Sequence, residues 1–185
     1  MAVTYNFAGA SGIDQGADWN ANVVYKQPAS ITNVSGDGTT VTYTAVNSFS
    51  AGQIVSIDQV IPYIYNLQDV VIDSANATSF TVLNGATGNY ISGGLATAPV
   101  DLTGYTAKME LRSTPATVNP VLTLTTQNGG IIITGPTGNI QLFATATQTG
   151  AINQGPYEYD LEIYQGSSVT RVIQGQITVS AQVTQ

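Results

Sequence analysis

Apolar and polar side chains alternate along most of this chain with a period of two residues. In TAKMELR, residues 106–112, every second side chain is apolar, which is the pattern of a β-strand with one buried face. The same pattern predicts strands over 17–26, 31–35, 39–45, 53–58, 68–73, 79–83, 105–112, 121–126, 131–134, 139–145, 156–165 and 169–180. The segment 144–155 is the least strand-like, and we expect one short helical turn there.

Turns that contain glycine separate these segments at intervals of about eight to twelve residues, which is typical of a β-sandwich or a barrel. Gly36-Asp37-Gly38 joins two of the predicted strands and predicts a tight hairpin. Pro28 interrupts the pattern after the first strand. The segment 85–99 is rich in glycine and small residues, and it resembles a linker.

The apolar positions of the predicted strands define the expected core. The core residues fall into two groups, one on either side of and one within the segment 28–98. The first comprises Trp19, Leu102, Met109, Leu111, Leu122, Leu124, Ile132, Ile140, Leu142, Tyr159, Leu161, Val172 and Ile177, and the second Val41, Tyr43, Phe49, Val55, Ile57, Val71, Phe80 and Val82.

Composition narrows the class of protein. Apolar residues make up 43% of the chain and charged residues only 8%, with a net charge of −7. Four basic residues cannot form the cationic surface that nucleic acid or an anionic membrane requires, so neither is an expected partner. The chain has no cysteine and no histidine, which removes disulfides, thiol and imidazole chemistry and most zinc or iron sites. We expect no cofactor and no metal.

The scarce charge is concentrated on few strands. The strand at 105–112 holds two of the four basic residues, and the strand at 156–165 carries three carboxylates on one face. Such a row is unfavourable unless basic side chains lie opposite it across the sheet. We therefore expect paired strands with a charged outer face, which is either solvated or a contact with another subunit. The candidate interface residues are Lys108, Glu110, Arg112, Glu158, Asp160, Glu162 and Arg171.

Five segments together resemble a family of tailed-bacteriophage structural proteins. They are ADWNANVVYK, DLTGYTAKMELRS, NGGIIITGPTGNIQLFATATQT, GPYEYDLEIYQ and RVIQGQITVS. They are similar to the N-terminal module of baseplate upper proteins. The resemblance covers residues 14–27 and 99–185, and it implies an all-β fold, an Ig-like antiparallel β-sandwich.

In that family the first strand is followed closely by the DLTG strand, whereas here about seventy residues intervene. The resemblance therefore implies a host sandwich formed by 1–27 and 99–185, with a small all-β domain inserted as 28–98. Insertions are tolerated at exposed loop tips. Residues 1–13 are a candidate extended arm that orders on a neighbouring subunit.

Glycoside hydrolysis would need a pair of carboxylates in a cleft. Glu110, Glu158, Asp160 and Glu162 are candidates for a glycosidase pair, but they alternate along ordinary strands and nothing in the sequence marks a cleft. The motifs of serine hydrolases and phosphate-binding loops are missing. We therefore expect a protein that is not an enzyme.

The sequence offers candidate residues for two kinds of ligand site, a calcium site with carboxylate ligands and a glycan site with aromatic contacts. Asp37, Asp58, Asp69 and Asp73 could bind calcium, but they lack the spacing of a calcium loop, and a role in turns is the preferred interpretation. Three tyrosines in the probable loops of the inserted region, Tyr63, Tyr65 and Tyr90, are candidates for contact with a host glycan. The alternative is a core role with the hydroxyl at the rim, which is usual for tyrosine at strand ends.

These observations predict a non-enzymatic bacteriophage virion protein that assembles in symmetric copies with itself and with other phage structural proteins. The sequence starts without the features of an export signal, which fits a product that leaves the cell inside a particle. Its expected position is the tail, baseplate, neck or fibre attachment. The alternatives are a capsid decoration (cement) protein and, from another class, an Ig-like glycan-binding adhesin.

Overall fold

The regular secondary structure is almost entirely β-strand, as a computed structural model shows for residues 12–182 and for the backbone of Val3–Thr4. The strands are β1 Val3–Thr4, β2 Ile13–Asp14, β3 Trp19–Val24, β4 Lys26–Gly36, β5 Thr40–Ala45, β6 Ile54–Ile61, β7 Leu67–Asn76, β8 Ser79–Leu83, β9 Ser92–Pro99, β10 Thr106–Arg112, β11 Leu122–Thr125, β12 Ile131–Thr134, β13 Asn139–Ala144, β14 Gly155–Gln165 and β15 Ser168–Ser180. The helices are α1, Ala146–Gly150, and two 3-10 turns at Tyr63–Tyr65 and Gly135–Thr137. The all-β prediction is confirmed.

The chain divides into two compact units. Unit 1 comprises Met1–Val24, Leu102–Gly135 and Asn139–Gln185, and unit 2 comprises Tyr25–Asp101 and Pro136–Gly138. The range 28–98, predicted as an insertion, lies within unit 2. The turn Pro136–Gly138 groups with unit 2 because Gly138 accepts a hydrogen bond from the backbone N–H of Tyr25 at 2.8 Å.

Unit 1 contains two sheets. One has the strand order β1-β15-β14-β10-β11, with β2 also paired to β15, and the other has the order β12-β13-β3. Buried side chains alternate along the strands of both sheets, and β10 contacts β12 while β11 contacts β13. The two sheets therefore bury apolar faces against each other.

The strand pairing in unit 1 is not wholly antiparallel, in contrast to the prediction. The short strands β1 and β2 both pair with β15 in parallel, and Ile13 in β2 is fully buried. The predicted arm, 1–13, lies mostly outside the described residues. Its described parts pair with a strand of the same chain, so in this structure they do not need a neighbouring subunit to form a strand.

Unit 2 contains a closed barrel of six strands in the order β4-β5-β8-β7-β6-β9. Closure leaves no free strand edge. Bulges interrupt the pairing between Ile31 and Asn33, between Val55 and Ile57, and between Ile72 and Ser74. Such bulges bend strands and increase their twist, which small barrels require.

The linker predicted over 85–99 is wrong, because most of it forms β9. Ala96 and Ala98 are fully buried inside the barrel, where small side chains fit. At Gly94 a Cβ atom would lie 2.9 Å from side-chain atoms of Ile31 and of Val60. Small residues are needed here for close packing. Because these residues have low hydrophobicity, the sequence pattern does not identify β9 as a core strand.

Local polar contacts explain the turns and the helix. Asp37 accepts hydrogen bonds from the backbone N–H groups of Thr39 and Thr40 at 2.8 and 2.7 Å, which closes the predicted hairpin turn. Thr145 and Gln148 form a capping box at the start of α1. The helix confirms the short helical turn predicted over 144–155.

The aromatic cluster of the barrel gives a test of its packing. The rings of Tyr43 and Phe80 stack at 5.0 Å between centroids, and Phe49 meets Phe80 edge-on at 5.4 Å. We predict that Phe80→Ala lowers the free energy of unfolding by about 3 to 5 kcal/mol, since it opens a cavity beneath both partner rings. Leu83→Ala, on the same strand but 69% exposed, should cost about 0.5 kcal/mol or less. Urea unfolding followed by circular dichroism measures both, and equal losses would contradict this packing.

Candidate functional site

The charged face is the outer face of β10, β14 and β15, and it carries the seven predicted interface residues. On β10 and β14 every second residue is buried, so Lys108, Glu110 and Arg112 point outward like the acidic residues of β14. The surface forms an open depression of about 530 Å³. Its charged lining is Lys108, Glu110, Arg112, Glu158, Asp160, Glu162 and Arg171.

Register brings opposite charges together on this face. Pairing of β10 with β14 places Lys108 opposite Glu162 and Arg112 opposite Glu158. It also places Glu110 opposite Asp160, which is an unfavourable pair of like charges. On the other side of β14, Glu162 lies opposite Arg171 of β15.

The side chains relieve the like-charge pair through ion pairs along and across strands. Lys108 Nζ lies 2.5 Å from Glu110 Oε1, and Arg112 also pairs with Glu110. Arg171 bridges Asp160 at 3.2 Å and Glu162 at 3.6 Å. With three positive and four negative groups, the charged face carries one net negative charge. Glu158 forms no ion pair with a described residue.

A β-bulge determines where Arg171 lies. The pairing of β14 with β15 shifts between Leu161 and Glu162, and the adjacent residues Val172 and Ile173 are both buried. Arg171 and Gln174 therefore share the outer face, although strict alternation would separate residues three apart. Arg171 donates a hydrogen bond to the Gln174 side chain at 3.0 Å.

Arg112 also fixes the loop 113–121 beside the charged face. Its guanidinium donates to the carbonyl oxygens of Thr117 and, at 2.7 Å, of Val118. The Val118 side chain is 84% exposed. The loop therefore presents an apolar side chain next to the charged groups, a combination that is common where an interface core meets its polar rim.

The two central carboxyl groups have opposite pKa shifts. Burial raises the pKa of Glu110, but hydrogen bonds and charge from Lys108 and Arg112 outweigh burial and hold the pKa below its ordinary value. Burial raises the pKa of Asp160, and this effect, together with the neighbouring carboxylates of Glu162 and Glu110, outweighs the lowering by Arg171 and Arg112. Tyr164 donates to Glu162 at 2.8 Å, and burial together with this bond raises the pKa of Tyr164 to about 12.

The arrangement is suited to recognition of charged groups. Glu110 is held by basic side chains of its own strand, Asp160 and Glu162 are held by Arg171 of β15, and the open depression has a slight excess of negative charge. A surface of this kind orients an approaching partner and selects its register through complementary charge. The sequence did not single out Gln174, Gln176 and Tyr164, which also line the depression, because uncharged polar residues of strand faces carry no distinct signal.

The three candidate glycan tyrosines have different environments. Tyr65 is fully buried, and its hydroxyl donates to the carbonyl of Gly88 at 2.7 Å, so its ring is not available to a ligand. The Tyr90 hydroxyl donates to the Gly93 carbonyl at 2.9 Å. Tyr63 is 76% exposed. The apolar rings of Tyr65 and Tyr90 fill and close the barrel, and only Tyr63 of the three has a freely accessible face.

The candidate calcium ligands serve local structure. Asp37 closes its turn, and hydrogen bonds from the N–H groups of Thr40 and Thr39 and from the Thr40 hydroxyl lower its pKa. Asp58 accepts from Gln68 at 2.7 Å, and Asp69 accepts from Ser56 at 3.0 Å. Asp73 accepts from Thr81 at 3.5 Å. Among the described residues, no three acidic side chains are grouped so as to hold a metal ion.

Comparison with known proteins does not place the chain in a family. No protein-family model matches it, and no curated protein matches its sequence. Within residues that the structure describes, no helix is long and apolar enough to cross a membrane.

The opposite pKa shifts predict opposite effects of two neighbouring substitutions. Glu110→Gln should lower stability at pH 7 by about 1 kcal/mol, since it weakens charged hydrogen bonds at a partly exposed site. Because folding lowers the pKa of Glu110, its ionised carboxylate stabilises the folded state at pH values above the ordinary pKa of 4.5. This contribution is lost as the pH falls through the folded-state pKa. The gap between the variant and the unmodified protein should therefore close on acidification.

Asp160→Asn is the matched comparison, because residue 160 lies directly opposite residue 110. A raised pKa means that folding disfavours the ionised carboxylate, so this variant should be at least as stable as the unmodified protein at pH 7. The difference should vanish below the ordinary pKa of 3.8. Thermal unfolding at pH values between 3 and 7 measures both variants, and a larger loss for Asp160→Asn than for Glu110→Gln would contradict the assignment.

Proposed function

We propose that this chain is a non-enzymatic structural protein of a tailed-bacteriophage virion, and that it assembles in symmetric copies at the tail, baseplate, neck or fibre attachment. The observation that carries the proposal is the charged face. Three of the four basic residues and all three glutamates of the chain lie on it. A protein that needed charge only for solvation would distribute it, whereas a subunit contact requires it in one place.

The finer fold assignment is part of the same proposal. We assign unit 1, with its two packed sheets, to the Ig-like sandwiches found in phage structural proteins, modified by the parallel pairing of β1 and β2 with β15. Unit 2 has the geometry of an inserted domain, because its entry and exit are adjacent. Lys26 pairs with Pro99, and the N–H of Val100 donates to the carbonyl of Tyr25 at 2.9 Å.

Two alternatives remain proposals of lower rank. A capsid decoration protein would use the same charged face against the shell, and it differs from the first proposal only in copy number and position. An Ig-like glycan-binding adhesin is supported by the exposure of Tyr63, but burial of Tyr65 leaves a single open aromatic face where sugar sites commonly combine several polar and aromatic groups.

Particle composition tests the proposal. Quantitative mass spectrometry of purified particles from the source should find the chain in a few to dozens of copies if it lies at the neck or tail. Hundreds of copies would support the decoration alternative. Absence of the chain from particles would contradict a virion role and would leave the adhesin.

A charge substitution tests the role of the charged face. Glu158→Lys alters the charge there without removing an ion pair with a described residue, and it should reduce incorporation at least tenfold when variant and unmodified protein compete, because like charges then oppose each other in the contact. Asp73→Lys makes the same change of charge on the barrel and should incorporate normally. Equal incorporation of both variants would show that the charged face is only a solvated surface.

A further inference from the structure

The dipeptide Asn-Gly occurs twice in the chain, as Asn84-Gly85 and as Asn128-Gly129. Asparagine is thermolabile, because the backbone nitrogen of the following residue can attack its side-chain carbonyl carbon. Glycine in the following position favours this attack, since it has no Cβ atom and its backbone adopts many conformations. The two dipeptides have different hydrogen bonds in the folded chain, and we therefore expect different reactivity.

The Asn128 side chain is held by three hydrogen bonds. Its Oδ1 atom accepts from the backbone N–H groups of Thr125 at 2.8 Å and of Gly130 at 2.9 Å, and its Nδ2 atom donates to the carbonyl of Thr123 at 2.9 Å. The contacts with Thr123 and Thr125 tie the amide to strand β11. Attack by the nitrogen of Gly129 requires the amide to turn, which costs these contacts.

The Asn84 side chain has a single hydrogen bond with the described residues. Its Oδ1 atom accepts from the backbone N–H of Ala86 at 2.8 Å, and its Nδ2 atom donates to no described residue. Attack on the carbonyl carbon moves negative charge onto Oδ1, and a backbone N–H at this distance stabilises such charge. The one contact of Asn84 is therefore compatible with the reaction, and no contact holds the nitrogen atom that leaves.

The backbone of the loop 84–87 also permits the reaction. The loop follows β8 without regular secondary structure, and Gly85 is exposed. The N–H of Gly85 donates to no described residue, so hydroxide can remove its proton. Exposure does not distinguish the two sites, because Asn84 is half-buried and Asn128 is exposed. The difference lies in the hydrogen bonds of the two side chains.

We propose that Asn84 deamidates spontaneously in the folded protein, with Gly85 as the nucleophile and water as the co-reactant. The deprotonated nitrogen of Gly85 forms a bond to Cγ of Asn84, the bond from Cγ to Nδ2 breaks, and the leaving nitrogen takes a proton and departs as ammonia. Water then opens the cyclic imide at either carbonyl carbon and leaves aspartate or isoaspartate at position 84. No atom is oxidised or reduced.

The product disturbs a close contact within the barrel. The N–H of Asn84 donates to the carbonyl of Thr39 at 3.1 Å, and a Cβ atom on Gly36 would lie 2.0 Å from the carbonyl oxygen of Ala86. The loop therefore lies directly against the hairpin turn that Asp37 closes. Isoaspartate lengthens the backbone of the loop by a methylene group, and either product adds a negative charge near this turn. Deamidation should therefore weaken the packing of the loop on the turn.

Peptide mapping by mass spectrometry of the full chain, aged in mildly alkaline buffer, measures deamidation at each site. In the folded protein Asn84 should react about tenfold faster than Asn128 or more, since the contacts that Asn128 must break raise its barrier. The chain unfolded in guanidinium chloride is the control, and there the two sites should react at similar rates. Equal rates in the folded protein, or reaction of Asn84 only after unfolding, would overturn the proposal.

Gly85→Ala tests the role of Gly85 as the nucleophile. A Cβ atom at this position would lie 3.5 Å from the carbonyl oxygen of Gly38, which is an ordinary contact, and Gly85 does not have a positive φ, so the variant should fold. The methyl group crowds the attacking nitrogen and restricts the backbone, and deamidation at Asn84 should slow several-fold while Asn128 keeps its rate. An unchanged rate at Asn84 would contradict the assignment.

Urea unfolding of aged samples tests the consequence for the barrel. Deamidated protein should unfold at a lower urea concentration than fresh protein, whereas Gly85→Ala aged for the same time should keep its midpoint. An unchanged midpoint after complete deamidation would contradict the effect on packing. The reaction needs only the folded chain and water, so these results are independent of whether the chain is found in particles.

Discussion

The pairing of β10 with β14 is the interaction on which the rest of unit 1 depends. Its register places Lys108 opposite Glu162 and Arg112 opposite Glu158, so a slip by one residue would bury several charges and expose Met109, Leu111 and Leu161. Burying an unpaired charge is far more costly than exposing one apolar side chain. The few charges of the chain therefore select the register that buries the apolar core.

The alternating segments were the part of the fold that the sequence could predict. Strands, the Asp37 turn and the short helix follow from periodicity and turn chemistry, which act over a few residues. Continuous apolar runs were ambiguous: Ile132 and Val71 were assigned to the core but are 56% and 59% exposed, while the adjacent Ile131 and Ile72 are buried. In such runs both faces look apolar, and only the neighbouring strands decide which one faces inward.

Features that depend on contacts between distant parts of the chain could not be predicted from the sequence. Barrel closure makes β9 a core strand despite its glycines and alanines, and the bulge near Arg171 moves that residue to the charged face. The members of the charged face could be predicted because opposite charges on alternating strands imply pairing. The burial of Tyr65 could not, because the same residue type occurs both in binding sites and in cores with its hydroxyl bonded to backbone.

Unit 1 gathers most of its ionised residues on the charged face, and we interpret this face as a subunit contact of the assembly. The most direct test of this contact is a map of the intact particle at a resolution that traces the chain. We expect Lys108, Glu158 and Asp160 to be covered by a neighbouring chain that offers complementary charge. A map in which these residues face open solvent in every copy would contradict the proposed contact.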